Sequence, residues 1–392
     1  MSWPVKKLGD VLQISRGGSP RPIDNYLTED ESGLNWIKIG DVQVGAKYIT
    51  QTKEKIRKEG LSKTREVKAG DFLLSNSMSF GRPYITKIDG CIHDGWLALR
   101  DKDNIFNTDF LYHVLTSNAV KEQFIKYASG AVVKNLNIDA VSKVVVAVPP
   151  LAEQQRIAEL LDTADRILKL REQAIAKLDA LAQSVFVDMF GDTTKNDRNW
   201  KVEKLSSLIK DKDTINYGVI QPGTEYENGV PLIRAGDVGN SNLNLSELKN
   251  IDPAIEANYK RSRLNGDEIL VSCVGLIGAV MLANKSMKGF NIARAVARIS
   301  PSSKVNRIYL SEYLKSPKVQ RYFINELRTV AQPTLNIKQI CETEVICPPI
   351  ALQNDFAKII NQFDLVRKDY KQSLSKQLTF LRSLQHQSFA MN

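Results

Sequence analysis

The chain has 392 residues, 43% of them hydrophobic and 25% charged, the profile of a soluble globular protein with room for two or more domains. Its formal net charge of +10 points to a polyanionic partner, nucleic acid above all. Three scattered histidines and four cysteines without a CxxC or Cys/His cluster argue against a metal centre, and no apolar run reaches the ~20 residues of a membrane helix. The start shows no apolar secretion segment, so a cytoplasmic chain with reduced, buried cysteines is expected.

In chain order, short β-rich segments at 36–42, 72–75, 84–88 and 96–100 lie between Gly, Asp and Asn turns. A helix is predicted over 108–127 and a β-like run over 143–148. Pro149-Pro150 then opens a stretch without Pro or Gly that lasts to Gly191. Ile157, Leu160/Leu161, Ala164, Ile167/Leu168, Ile175, Leu178, Leu181/Ala182, Val185 and Met189 fall at steps of three and four, which marks one amphipathic helix. Forty residues of helix span about 60 Å. A polar linker, 192–199, leads to a second set of β-like segments at 231–238, 268–272, 279–283 and 295–299. A helix over 309–328 and a strand over 344–347 follow. After Pro348-Pro349, Phe356, Ile359/Ile360, Phe363, Val366, Tyr370, Leu374, Leu378, Leu381 and Leu384 repeat the helical spacing.

The second half therefore restates the first. Trp3-x-Val5-x-Lys7-Leu8 returns as Trp200-x-Val202-x-Lys204-Leu205. Trp36-Ile37-Lys38-Ile39-Gly40-Asp41-Val42 returns as Leu232-Ile233-Arg234-Ala235-Gly236-Asp237-Val238. Gly70-Asp71-Phe72-Leu73-Leu74-Ser75 returns as Gly266-Asp267-Glu268-Ile269-Leu270-Val271-Ser272, and Leu136-Asn137-Ile138 and Pro149-Pro150 also recur, each roughly 200 residues on. The implied architecture is α+β: two globular parts, 1–149 and 192–348, each followed by a long helix, 150–191 and 349–392. Two such seams bury each other when the helices pair antiparallel as a coiled coil, with one globular part at each end and Met1 near Asn392.

These motifs, in this order and duplicated, resemble a type I restriction–modification specificity subunit. The segments that carry the likeness are Gly17-Gly18-Ser19-Pro20, the Gly40-Asp41 and Gly70-Asp71 runs, Leu136-Asn137-Ile138, and Pro149-Pro150-Leu151-x-Glu153-Gln154-x-Arg156-Ile157. The second copy departs from the last of these, with Leu352, Asn354, Asp355 and Phe356 in place of Glu153, Gln155, Arg156 and Ile157. The resemblance implies two target-recognition domains, each reading half of a bipartite, asymmetric site in double-stranded DNA. It also implies helices that set the spacer and dock two methyltransferase subunits, with motor-nuclease subunits joining for restriction.

Base edges and phosphates are met by Arg, Lys, Asn, Gln, Ser and Thr on loops. The candidates in half one are Arg16, Ser19 and Arg21 in a Gly-rich loop whose glycines would admit a phosphate, Ser77 and Arg82 after a buried strand, and Lys134 and Asn135 before Leu136. In half two they are Tyr217, Gln221, Ser272, Gln332 and Thr334, and Lys38 and Arg234 occupy matched positions. Asp41, Asp71, Asp237 and Asp267 read as turn formers, and the basic run from Lys53 to Arg65 as a solvated helix face. No GxxxxGK[ST], Asn/Asp-Pro-Pro-aromatic or paired-carboxylate nuclease motif is present. A non-catalytic chain without cofactor of its own is expected, with S-adenosylmethionine on the methyltransferase partners. The rival reading is a coiled-coil adaptor whose ends bind proteins.

Overall fold

The computed structural model describes residues 3–43, 45–76, 80–128, 135–240, 243–327 and 333–389. The chain forms two compact units, Met1–Glu172 with Gln372–Asn392, and Gln173–Lys371. The long helices are continuous over Leu151–Phe190 and Ile350–Phe389, as their spacing predicts. They are not separate domains, because each gives one part to each unit. The expectation for Met1 and Asn392 lies outside the described residues.

In the first unit a five-stranded sheet runs in the order Gln13–Arg16, Trp96–Arg100, Phe72–Ser75, Pro83–Thr86, Tyr48–Ile49. Its centre, Phe72–Ser75, is buried on both faces, which explains its unbroken apolar run. A second five-stranded sheet contains the parallel pair Leu34–Ile37 and Gly90–Ile92. The basic run is a helix only in part: Glu54–Ile56 is a strand of this sheet and Lys58–Lys63 a 3-10 helix. The predicted helix 108–127 is two helices, Thr108–Thr116 and Asn118–Tyr127, because Ser117 turns extended and caps the second through Val120 N–H. These helices pack on Ile157, Leu161 and Leu168 of the first long helix and on Leu381 and Phe389 of the second. Phe110 and Phe389 meet edge to face, centroids 5.8 Å apart.

The second unit repeats the plan. A four-stranded sheet runs Asn216–Tyr217, Val296–Ile299, Ile269–Ser272, Val280–Leu282, and Val230–Ile233 pairs parallel with Asn291–Ile292. Its helix pair, Arg307–Leu314 and Pro317–Asn325, breaks at Ser316, and Pro317 opens the second member where its missing N–H costs nothing. The core is aromatic. Phe186 and Phe190 of one long helix close on Tyr309, Tyr313 and Phe356, with Phe190 and Phe356 centroids 5.2 Å apart. Each buried ring contributes about 2–3 kcal/mol. Tyr309 and Tyr313 donate to the backbone oxygens of Ile346 and Glu344, and burial pushes both hydroxyls above their ordinary range. Here the helices run antiparallel, since Asp179 pairs with Arg367 at 2.6 Å while Phe190, further along, meets Phe356. In the first unit Arg171 bonds Ser373, and Phe389 reaches Phe110 near the start of the first long helix, so the sense is again antiparallel.

Not every apolar residue in the predicted seam faces inward. Leu160, Leu181, Val366, Tyr370 and Leu378 are exposed, whereas Leu161, Ala182, Ile360 and Leu381 are buried. The repeated motifs are hydrogen-bonding frames. Gln154 and Gln353, both buried, accept from Asn107 and Asn306 N–H at 2.8 and 2.9 Å. Their amides donate to Pro149 and Pro348 carbonyls at 2.8 and 2.7 Å. Asp41 and Asp237 close their turns by accepting from Lys38 and Arg234 N–H at 2.9 and 2.8 Å. Asp71 does the same for Lys68. Its counterpart is Glu268 rather than Asp267: buried Glu268 accepts from Asn265, Gly266 and Asp267 N–H, and Asp267 pairs outward with Lys210.

Candidate nucleic-acid interface

In the first unit the candidate loops meet at one place. Gly17 N–H donates to Trp96 O at 3.0 Å and Gly18 N–H to Ile92 O at 3.1 Å. A Cβ on Gly17 would stand 2.2 Å from His93 O. The glycine serves the packing of backbone on backbone. Beyond it, Asp94 accepts from Ser19 Oγ and faces His93 Nε2, both at 2.9 Å. His93 Nδ1 accepts from Gly95 N–H at 2.9 Å. Arg16 Nε donates to Asp94 O at 3.3 Å. Arg21 lies 3.9 Å from the Asp94 carboxylate and is 83% exposed. Asn76 ties in the second loop by donating to Asp94 O at 2.8 Å, and the third by accepting from Leu136 N–H at 2.9 Å. Arg82 is exposed, while its backbone holds the turn to Ser75. Asn135 is half-buried. Ser77 and Lys134 lie outside the described residues.

The second unit keeps the frame and changes the side chains. A Cβ on Gly218 would stand 1.6 Å from Ile292 O, which Val219 N–H approaches to 2.7 Å. Cys273 N–H donates to Ala295 O at 2.8 Å as Asn76 N–H donates to Gly95 O at 3.0 Å, and Leu335 N–H donates to Cys273 O at 3.0 Å as Leu136 N–H does to Asn76 O. Thr334 bridges Val274 through the backbone. Gln221 and Arg234 are exposed, Arg234 with its guanidinium 3.3 Å from Asp237. Gln332 lies outside the described residues.

A family model described as the type I restriction modification DNA specificity domain matches residues 1–180 and again 197–379. The chain belongs to the type I restriction–modification DNA specificity family. It is 30% identical over 318 residues to the type I restriction enzyme EcoBI specificity subunit of Escherichia coli, a match covering 74% of this chain and 66% of that one. It is 20% identical over 417 residues to the EcoKI specificity subunit of Escherichia coli strain K12, covering 99% and 88%. The fold is shared with the type I restriction–modification S subunit of M. genitalium, with TM-score 0.58 and 15% identity over 99% of this chain and 96% of the other. A chain from a type I system solved to explain complex assembly and conformational transition has TM-score 0.59 at 16% identity, covering 99% and 97%. The adaptor reading has no support among these relatives.

Within this specificity-family chain, two candidates are bound up in the fold. Tyr217 donates to Leu335 O at 2.8 Å, and burial pushes its hydroxyl up to about 12. Ser272 is fully buried and staples its own loop, with Oγ donating to Leu276 O and accepting from Ala279 N–H. Lys38 pairs with Glu54. The side chains that reach solvent beside the frame are Arg16, Arg21 and Arg82 in the first unit and Gln221 and Arg234 in the second. Asp94 and His93, which organise the first cluster, were not singled out from the sequence. The Asp94-Gly95 turn signal straight after a buried strand could have found them. Among the described residues no group of three His, Cys, Asp or Glu stands close enough to hold a metal ion, and no helix is long and apolar enough to cross a membrane.

Proposed function

We propose that each unit of this specificity chain reads one half of a bipartite, asymmetric site in duplex DNA, and that the long helices set the gap between the halves. The observation that carries this reading is a common backbone frame with unlike side chains mounted on it. The turn that begins at Ser75 ends on Arg82, and the identically bonded turn at Ser272 ends on Ala279. Arg16 occupies the strand position opposite Leu97, and Tyr217 the matching position opposite Ala297. Two copies of one frame with unlike side chains at matched positions suit two different half-sites. Exposed arginines supply the salt-dependent, sequence-independent share of the affinity.

The helices also dock two methyltransferase subunits in this reading. Exposed Leu170, Leu365 and Phe380, each more than half accessible, give them apolar surface that their own seam does not cover. Methylation with S-adenosylmethionine and cleavage belong to partner subunits, and this chain contributes recognition alone. Mapping methylated adenine in DNA from cells with and without this chain tests the proposal. One interrupted two-part motif should disappear with the chain. An unchanged map in a strain with functional methyltransferase subunits, or loss of a continuous motif, would refute it.

A further inference from the structure

The second unit holds a basic cleft of about 450 Å³ that the first unit's strand register does not reproduce. At its base is Arg298, only 5% exposed, paired across the sheet with Asn216 on one side and Leu270 on the other. The same position in the first unit, between Ser15 and Leu73, is Ala98. The segment joining Leu205 to Asn216 is also longer than its counterpart between Leu8 and Ser15. Its extra residues form the turn that carries Lys212, Asp213 and Thr214 into the cleft wall.

Arg298 explains how that turn is held. Its guanidinium grips both Asp213 oxygens at 3.0–3.3 Å, and its Nε stands 3.8 Å from Glu268. The pair ties the Asp213 turn to the sheet through an arginine that is itself buried. Next to Asp213, Lys212 adopts φ 63°, a left-handed conformation that a lysine keeps only when its surroundings impose it. Lys260 and Arg261 stand on the other wall, where Asn216 donates to Arg261 O at 3.2 Å. Arg263 is neutralised by Glu256 at 2.5 Å. Lys212, Lys260 and Arg261 form no ion pair among the described residues, so the cleft carries excess positive charge with the Thr214 hydroxyl beside it.

We infer that this cleft seats a phosphodiester of the DNA backbone on the half-site met by the second unit. The inference rests on the proposed DNA reading. The cleft is continuous with that interface, because Asn216 in its wall is the strand neighbour of Tyr217 and leads into the loop bearing Gln221. Lys212, Lys260 and Arg261 are the cations, and the Arg298–Asp213 pair positions Lys212. The first unit, with Ala98 at this position, grips its half-site without such a seat.

The test compares the full chain, assembled with its methyltransferase partners, with the K212Q/K260Q/R261Q variant and with K260Q alone. Binding to a random-sequence duplex is followed across salt concentrations. One lost phosphate contact makes the log–log salt slope shallower by about 1 and weakens binding at 0.1 M salt about tenfold. K260Q should show part of that change, and the methylated sequence should be the same in all three proteins. An unchanged slope in the triple variant, with unfolding midpoint retained, overturns the seat and leaves the DNA reading intact. Absence of salt-dependent duplex binding by the unaltered complex refutes the DNA reading, and the seat with it. Equal duplex slopes combined with a difference in inorganic phosphate binding would assign the cleft to a free anion and overturn the proposal.

Discussion

Gly218 marks how closely two backbones pass, and the cost of closing that gap is measurable. Gly218→Ala puts a methyl 1.6 Å from Ile292 O, so the loop must move, and a loss of about 2–4 kcal/mol is expected in denaturant unfolding. Gly40→Ala meets nothing within 4 Å and should shift stability by less than about 0.5 kcal/mol. Equal losses at both sites would show that the close approach is not what selects glycine. Tyr217→Phe removes the bond to buried Leu335 O and should cost about 1–2 kcal/mol. The same hydroxyl sets a pH dependence. Its folded-state value is raised to about 12, above the ordinary value near 10, so the folded state holds the proton more tightly. That stabilisation is complete below about pH 10 and fades as pH rises towards 12. The difference between the unaltered chain and Tyr217→Phe in unfolding free energy should shrink over that window. The roles of Tyr217 and Ser272 were hidden in the sequence because a polar residue is the same letter whether it faces a base or its own backbone. Only the tertiary position of Leu335 and Leu276 separates the two.

At the scale of elements, the buried glutamines explain why Pro-Pro and a following Gln recur together. Each ties the entrance of a long helix to the start of the shorter helix pair beside it. Gln154→Ala and Gln353→Ala each strand a buried N–H and carbonyl, so a loss of about 1–3 kcal/mol is expected from each in thermal or chemical unfolding. Glu153→Ala, whose partner Arg156 is solvent-facing, should be nearly neutral. Both long helices were legible because forty residues of three-and-four spacing leave no competing period. Which of two adjacent apolar residues faces inward, Leu160 or Leu161, was not legible, since both lie on a wide apolar stripe. Central strands such as Phe72–Ser75 stood out by their unbroken apolar runs. In the basic segment the charge masks the period: Lys53-x-Lys55-x-Arg57 alternates in steps of two, a strand pattern. The helix breaks at Ser117 and Ser316 also carried a signal, the second marked by Pro317.

For the whole molecule, helix length is a functional quantity in the proposed reading. Removing one matched turn from both long helices takes about 5.4 Å from the strut and should shorten the gap in the methylated motif or abolish methylation. Exchanging residues 192–348 for those of another family member should change one half-site and leave the other intact, as read by the same methylation map. If the exchange altered both half-sites together, the two-reader scheme would fail. The shared helices bear on the order of assembly as well. Gln173–Lys371 is a continuous stretch of chain, whereas the first unit draws on Leu381 and Phe389 to complete its core. During synthesis the second unit therefore has all its parts before the first does. A nascent chain halted after Lys371 would present an open apolar face on Phe110 and Leu161, which makes the unit made first the last to close.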